Sequence, residues 1–195
     1  QDAEPKVICY KPSNTHWLLA VGRLHEEKGF DKLIQAFTKI SADVPNWQLI
    51  ILGEGDEREP LLKQIKEAHL QERILLPGRV GNLSQWYLAA DLFVLSSRFE
   101  GLSNSLQEAM SYGLPAVSFD CDSGPREIIR DGVDGVLVRP DQDVDALAKT
   151  LHDLMSDPER RAQLGQEAKE VRERFSTRSI YQQWDRLFEQ LLSIK

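Results

Sequence analysis

The stretch Glu100-Gly101-Leu102-Ser103-Asn104-Ser105-Leu106-Gln107-Glu108-Ala109-Met110 closely follows the apolar run Leu92-Phe93-Val94-Leu95. An apolar run, a turn of small residues and a helix start, in that order, make a β-α unit. At the carboxyl end of a parallel strand, the first N–H groups of the helix and its dipole form a socket for an anion. Glu100 and Glu108, eight positions apart, cannot themselves attract phosphate and read instead as acceptors for sugar hydroxyls. Phosphate plus sugar means a nucleotide, a nucleotide sugar or a sugar phosphate. The same residues also read as an ordinary capped helix. Ser105-x-x-Glu108 fits a capping box, and Asn104 or Ser103 can serve as the cap.

Working outward, strand-like and helix-like runs alternate. Trp17–Val21, Trp47–Leu52, Ile74–Leu76, Leu92–Leu95, Ala116–Phe119 and Gly135–Val138 are short and apolar, as strands covered on both faces are. Between them Phe30–Ser41, Glu57–His69, Leu83–Ala90, Ser105–Tyr112 and Pro125–Arg130 read as helices; in the first, Leu33, Ile34, Phe37 and Ile40 share one face. This alternation predicts an α/β fold: a doubly wound, Rossmann-like parallel sheet with helices on both faces. The tail is helical throughout, over Val144–Met155, Pro158–Phe175 and Ser176–Ile194, with Asp157-Pro158 and Phe175-Ser176-Thr177 as breaks.

A chain of 195 residues holds one sizeable domain with a helical extension. Its formal charge of −7 argues against general binding to nucleic acid or to a membrane surface, though not against a small anion held by one Arg and one Lys. Cys9 and Cys121 lack metal-ligand spacing and form no disulfide framework. The four histidines, His16, His25, His69 and His152, form no metal motif, so no catalytic metal is expected. No apolar run reaches the length of a membrane span. Gln1–Asn14, with two prolines and little periodicity, reads as a linker.

Further candidate residues fall at strand ends. Gly22-Arg23-Leu24 follows the first strand and Lys28-Gly29 leads into the first helix. Arg23 can fork onto a phosphate, and Lys28 can act as a point charge; a solvated loop of mixed charge is the plainer reading. Gly53-Glu54-Gly55 ends the second strand without the third glycine of a dinucleotide fingerprint, and no P-loop sequence is present. Pro77-Gly78-Arg79-Val80 follows the third strand, where a turn can offer backbone groups to a base edge. Ser123-Gly124-Pro125-Arg126-Glu127 opens a further helix; there a routine connection is favoured over ligand contact by Arg126 and Glu127.

Taken together, GRLHEEKG (22–29), GEGDERE (53–59), LPGRV (76–80) and Glu100-x7-Glu108 within FEGLSNSLQEAMSYGLPAVSFD (99–120) resemble the C-terminal domain of glycosyltransferase family 4, retaining enzymes of the GT-B fold. The resemblance runs from about Trp17 to the end. Around Ser118–Ile128 it is closest to bacterial enzymes that build surface polysaccharides or lipid-linked oligosaccharides. It implies that Arg23 and Lys28 bind the donor's diphosphate, that Glu108 accepts from the ribose and that Glu100 lies near the transferred sugar. Gly101, Leu102 and Ser103 would touch phosphate and sugar, and Arg79 and Val80 would read the base. Gly22, Gly53 and Asn104 complete the donor-binding set; Arg23, Lys28 and Glu100 are the residues assigned to catalysis. Ser103 stands where many members have proline, and Ser123 where many have glycine.

The activity so implied is transfer of a hexose from a nucleotide-diphosphate sugar, expected to be a UDP-sugar, to a glycan or lipid-linked acceptor in polysaccharide biosynthesis. No cofactor is implied. The expected organisation is a linker at 1–16 from a missing N-terminal domain, a nucleotide-sugar-binding domain at 17–175, and a helix at 176–195 that crosses back to the missing domain or pairs in a dimer. The resemblance also implies a cytoplasmic protein, peripheral on the inner face of the membrane in its full-length form. A GT-B sugar-nucleotide epimerase and a non-catalytic nucleotide-sugar-binding module remain as alternatives.

Overall fold

The computed structural model describes residues 9–139 and 143–193. Residues 1–8, half of the expected linker, and Ile194, the expected end of the last helix, lie outside the described residues. Six strands, β1 (His16–Val21), β2 (Trp47–Leu52), β3 (Ile74–Gly78), β4 (Leu92–Leu95), β5 (Ala116–Phe119) and β6 (Gly135–Val138), form one parallel sheet in the order β3-β2-β1-β4-β5-β6. The order reverses between β1 and β4, and that reversal is the switch point at which doubly wound sheets bind ligands.

Alternation along each strand divides the core in two. Leu18, Ala20, Leu49, Ile51, Leu92 and Val94 face one cluster, which is completed by α1 (Phe30–Ile40), α2 (Arg58–Glu67) and α6 (Val144–Ser156). Trp17, Leu19, Ile50, Leu52, Phe93 and Leu95 face the other, with α3 (Leu83–Ala89), α4 (Asn104–Ser111) and α5 (Pro125–Ile128). Both faces are covered, so the central strands carry almost no polar side chain. β3 runs two residues further than the sequence predicts and takes in Pro77. As an edge strand it tolerates a residue that cannot donate to the ladder.

The tail differs from expectation in one place. Pro158–Phe175 is not a single helix but α7 (Pro158–Ala168) and α8 (Val171–Arg174). At the junction Glu170 N bonds to Glu167 O and Arg172 N to Lys169 O. These i→i−3 bonds tighten the turn, with no Gly or Pro to mark it. Arg130 holds Glu170 at 2.7 Å, and Arg174 forms an ion pair with the buried Asp134 at 2.9 Å. α9 (Thr177–Ser193) follows, with Ile180, Trp184, Leu187, Phe188 and Leu191 all exposed. No helix among the described residues is long and apolar enough to cross a membrane. The described part of the segment before β1 is tied to the α3–β4 connection: Lys11 Nζ bonds to Asp91 Oδ2 (2.5 Å) and to Ala89 O (2.8 Å).

Candidate functional site

The loops after β1, β2, β3, β4 and β5 all emerge at the carboxyl edge of the sheet. After β1 the chain makes a 3-10 turn over Glu26–Lys28 and enters α1 through Gly29, whose φ is +61°. A side chain at Gly29 would strike the Ser96 carbonyl oxygen, and one at Gly124 (φ +82°) would strike that of Gly101. Glycine therefore lets the loops after β1, β4 and β5 stack backbone to backbone.

That stacking brings together residues far apart in the chain. Lys28 Nζ donates to Glu100 Oε2 at 2.7 Å. The buried Ser97 hydroxyl donates to the same oxygen at 2.7 Å, and Ser123 Oγ donates to Glu100 O at 2.9 Å. A cleft of about 490 Å³ opens beside them, its wall formed by Lys28, Arg98, Phe99, Glu100, Gly101 and the 121–123 turn. A second cleft of about 430 Å³ lies across β1, lined by Gly22, Arg23, Gly53, Glu54, Arg79 and Val80 among others. Arg23 is exposed, and Val80 has its side chain in the core. Together the two clefts gather eight of the twelve residues assigned from the sequence. Leu102, Ser103, Asn104 and Glu108 line neither cleft and form the start of α4.

The cap of α4 is Ser103: its Oγ accepts from Leu106 N at 3.4 Å and lies 3.3 Å from Ser105 Oγ. The Ser105–Glu108 capping box is not formed. Glu108, one turn on, instead accepts from the Tyr87 hydroxyl at 3.1 Å. Tyr87 is buried and stacked on Tyr112. Burial, with the Glu108 charge and hydrogen bond behind it, pushes the Tyr87 phenol up and keeps it a donor. Glu108 is thus free of the helix start, exposed, and oriented by a fixed ring.

The family model for glycosyl transferases group 1 matches residues 8–171. The chain belongs to this family. Among curated relatives, an exopolysaccharide phosphotransferase of Streptomyces coelicolor is 38% identical over 172 residues, covering 88% of this chain and 18% of the relative. An amylovoran biosynthesis glycosyltransferase of Erwinia amylovora is 40% identical over 121 residues, covering 62% of this chain and 33% of the relative. The chain therefore spans no more than about a third of the length of either. A crystal structure of Staphylococcus aureus TarM in complex with fondaparinux, alpha-GlcNAc-glycerol and UDP superposes with a TM-score of 0.83 at 26% identity, covering 94% of this chain and 38% of that one. The sheet is thus the Rossmann-like half of a GT-B glycosyltransferase fold.

Three residues at this candidate site escape a reading of the sequence: Ser97, Arg98 and Tyr87. Arg98 forks onto Asp31, Nη1 to Oδ1 at 2.8 Å and Nη2 to Oδ2 at 2.7 Å. Burial raises the Asp31 carboxyl, but Arg98 outweighs it and holds the group below the usual range. The available signal was position: Ser97 and Arg98 stand between the last strand residue and Glu100. Arg126, read as a routine connection, donates to Asp120 Oδ1 at 3.0 Å, and Arg139 donates to Oδ2 at 2.5 Å. Among the described residues no three His, Cys, Asp or Glu side chains gather as a metal site.

Proposed function

We propose that this chain is the donor-binding domain of a retaining hexosyltransferase that takes its sugar from a UDP-sugar. In this reading Arg23 and Lys28 bind the diphosphate and Glu108 accepts from the ribose hydroxyls. The Arg79–Val80 backbone meets the base, with Gly22 and Gly53 forming the floor beneath it. Glu100 faces the sugar, and the backbone of Gly101–Asn104 at the start of α4 meets phosphate and sugar. The observation that carries the reading is the Lys28–Glu100 contact of 2.7 Å at the β1/β4 switch point. It sets a cation for phosphate beside a carboxylate for sugar, at the sheet edge where such ligands bind.

In the transfer, the bond from the anomeric carbon to the diphosphate oxygen breaks and its electron pair leaves with the nucleotide. A new bond forms to an acceptor hydroxyl, which loses its proton. Negative charge grows on the leaving oxygen. In this reading Arg23, Lys28 and the α4 N-terminus stabilise it, and no metal or cofactor is needed. Positive charge grows at the anomeric carbon, near Glu100. The acceptor in this reading is a glycan or a lipid-linked glycan in polysaccharide biosynthesis, bound with the help of a second domain.

Calorimetry with UDP, GDP and ADP tests it. UDP is expected to bind best, and Arg23→Ala and Lys28→Ala are each expected to weaken it. Binding of none of the three, or unchanged affinity in both variants, overturns the assignment. Epimerised sugar nucleotide appearing without acceptor would replace it with an epimerase.

A further inference from the structure

The 3-10 turn that carries Lys28 has no buried residue of its own. No apolar anchor fixes it, and its internal bonds are local: Lys28 N to His25 O and Gly29 N to Glu26 O. Yet each of its three residues is gripped through its carbonyl by the segment leaving β4. Arg98 Nη1 donates to Glu26 O at 2.5 Å, Arg98 N to Glu27 O at 2.7 Å, and Ser96 Oγ to Lys28 O at 2.9 Å. The rest of the Arg98 guanidinium forks onto Asp31 in the first turn of α1.

We propose that Arg98 is a positioning residue, clamping the β1–α1 loop to the β4–α4 loop so that Lys28 stands where the donor's diphosphate binds. The inference rests on the donor reading above. Arg98 also lines the 490 Å³ cleft, so direct contact with phosphate is its rival. Geometry favours the clamp. A planar fork matched to one carboxylate and a third N–H committed to a carbonyl is an arrangement that only arginine makes. The charge of Arg98 is already balanced by Asp31 at 2.7 Å, in a pair whose arginine side chain is only 17% exposed. Lys28, by contrast, reaches Glu100 Oε2 at 2.7 Å from a turn that has no buried residue to hold it.

The test is a double-mutant cycle read by calorimetry with UDP, on the wild type, Arg98→Ala, Lys28→Ala and the double variant, with Arg98→Lys as a fifth protein. Arg98→Ala is expected to raise the dissociation constant roughly tenfold in the wild-type background, but by less than about twofold once Lys28 is gone. Arg98→Lys, which keeps the charge and loses the fork, should not restore affinity. Effects that multiply in the double variant would place Arg98 on the phosphate itself, and no effect of Arg98→Ala on affinity would leave it a purely structural residue; either overturns the proposal. Amide hydrogen exchange supplies a readout that needs no ligand. In Arg98→Ala, exchange at Lys28 and Gly29 should rise while the β1 and β4 amides keep their protection. Unchanged exchange at Lys28 and Gly29 overturns the clamp. Failure of the wild type to bind any nucleoside diphosphate overturns the donor reading, and is recognised separately from failure of the clamp.

Discussion

Lys28 Nζ and Glu100 Oε2 lie 2.7 Å apart, across a contact that joins the first loop of the sheet to the fourth. Lys28 is 26% and Glu100 11% exposed at the side chain, so the pair is partly shielded from solvent, and removing one partner leaves the other charge uncompensated. Ser97 donates to the same oxygen, so Oε2 accepts from both Lys28 and Ser97. An ammonium has three N–H donors, so Lys28 can keep one on Glu100 and offer the others to phosphate.

This sharing gives the two partners opposite phenotypes. Lys28→Ala removes a charge-assisted contact and should weaken UDP by about 10–150-fold, the equivalent of roughly 1.5–3 kcal/mol. It should also lower thermal stability, because Glu100 is left with an unbalanced charge in a shielded site. Glu100→Gln keeps an oxygen for Ser97 and removes the competitor for Lys28. UDP affinity should hold or rise, while sugar transfer by the full-length enzyme falls. Equal losses of UDP affinity in both variants would contradict the division of roles.

Glu108 is expected to act through its orientation as well as its charge. Tyr87→Phe deletes one buried hydroxyl and leaves the ring stack intact. Losing the bond to Glu108 should cost about 0.5–1.5 kcal/mol of stability and weaken UDP severalfold, less than Glu108→Ala does. Ser103→Ala removes the α4 cap and should cost about 1 kcal/mol in chemical denaturation. Glu108→Ala should not share that loss, since Glu108 caps nothing. A stability loss in Glu108→Ala matching that of Ser103→Ala would count against this.

The sheet was legible because its strands are buried on both faces. Trp47–Leu52, Leu92–Leu95, Ala116–Phe119 and Gly135–Val138 are short apolar runs bounded by polar or turn residues, and each is a strand over those same residues. The site was legible only as separate motifs. Lys28 meets Glu100 across 72 positions, and Asp31 meets Arg98 across 67. Both contacts exist because β4 returns to lie beside β1, and no local pattern encodes that neighbour relation. The α4 cap was ambiguous for a different reason: Ser103, Asn104 and Ser105 are all good caps, and backbone geometry at the loop selected the first. The α7–α8 break carries no Gly or Pro; Arg130 reaches Glu170 there from another part of the fold, and Arg174, at the end of α8, reaches out to Asp134.

The Arg98–Asp31 fork should leave a mark on acid stability. Burial alone would raise the Asp31 carboxyl, but the hydrogen bonds and charge of Arg98 bring it below its unfolded value. Stability from such a group is complete above the unfolded pKa and is lost as pH falls through the folded one. Asp120 behaves alike: burial opposes, and Arg139 and Arg126 lower it. Melting temperature should therefore fall steeply below about pH 4. Asp31→Asn should start less stable at neutral pH and show a shallower acid limb. An acid limb as steep as that of the wild type would mean the fork contributes no titrating stability.

The chain alone should bind donor and transfer nothing. Transfer needs donor and acceptor held in near-attack geometry, and every residue in the proposed reading is assigned to the donor. On α9, Ile180, Trp184, Leu187, Phe188 and Leu191 form a stripe at helical spacing, exposed by 41, 52, 44, 54 and 59%. Contiguous apolar surface of that kind is normally covered, which agrees with the proposal that further protein completes the enzyme. A transfer assay with radiolabelled UDP-sugars and lipid-linked or free glycan acceptors, run beside donor calorimetry on the same preparation, tests this directly. Donor binding without product is the expected outcome. Robust turnover by these 195 residues would show that the acceptor site and the groups that receive its proton lie within this one domain.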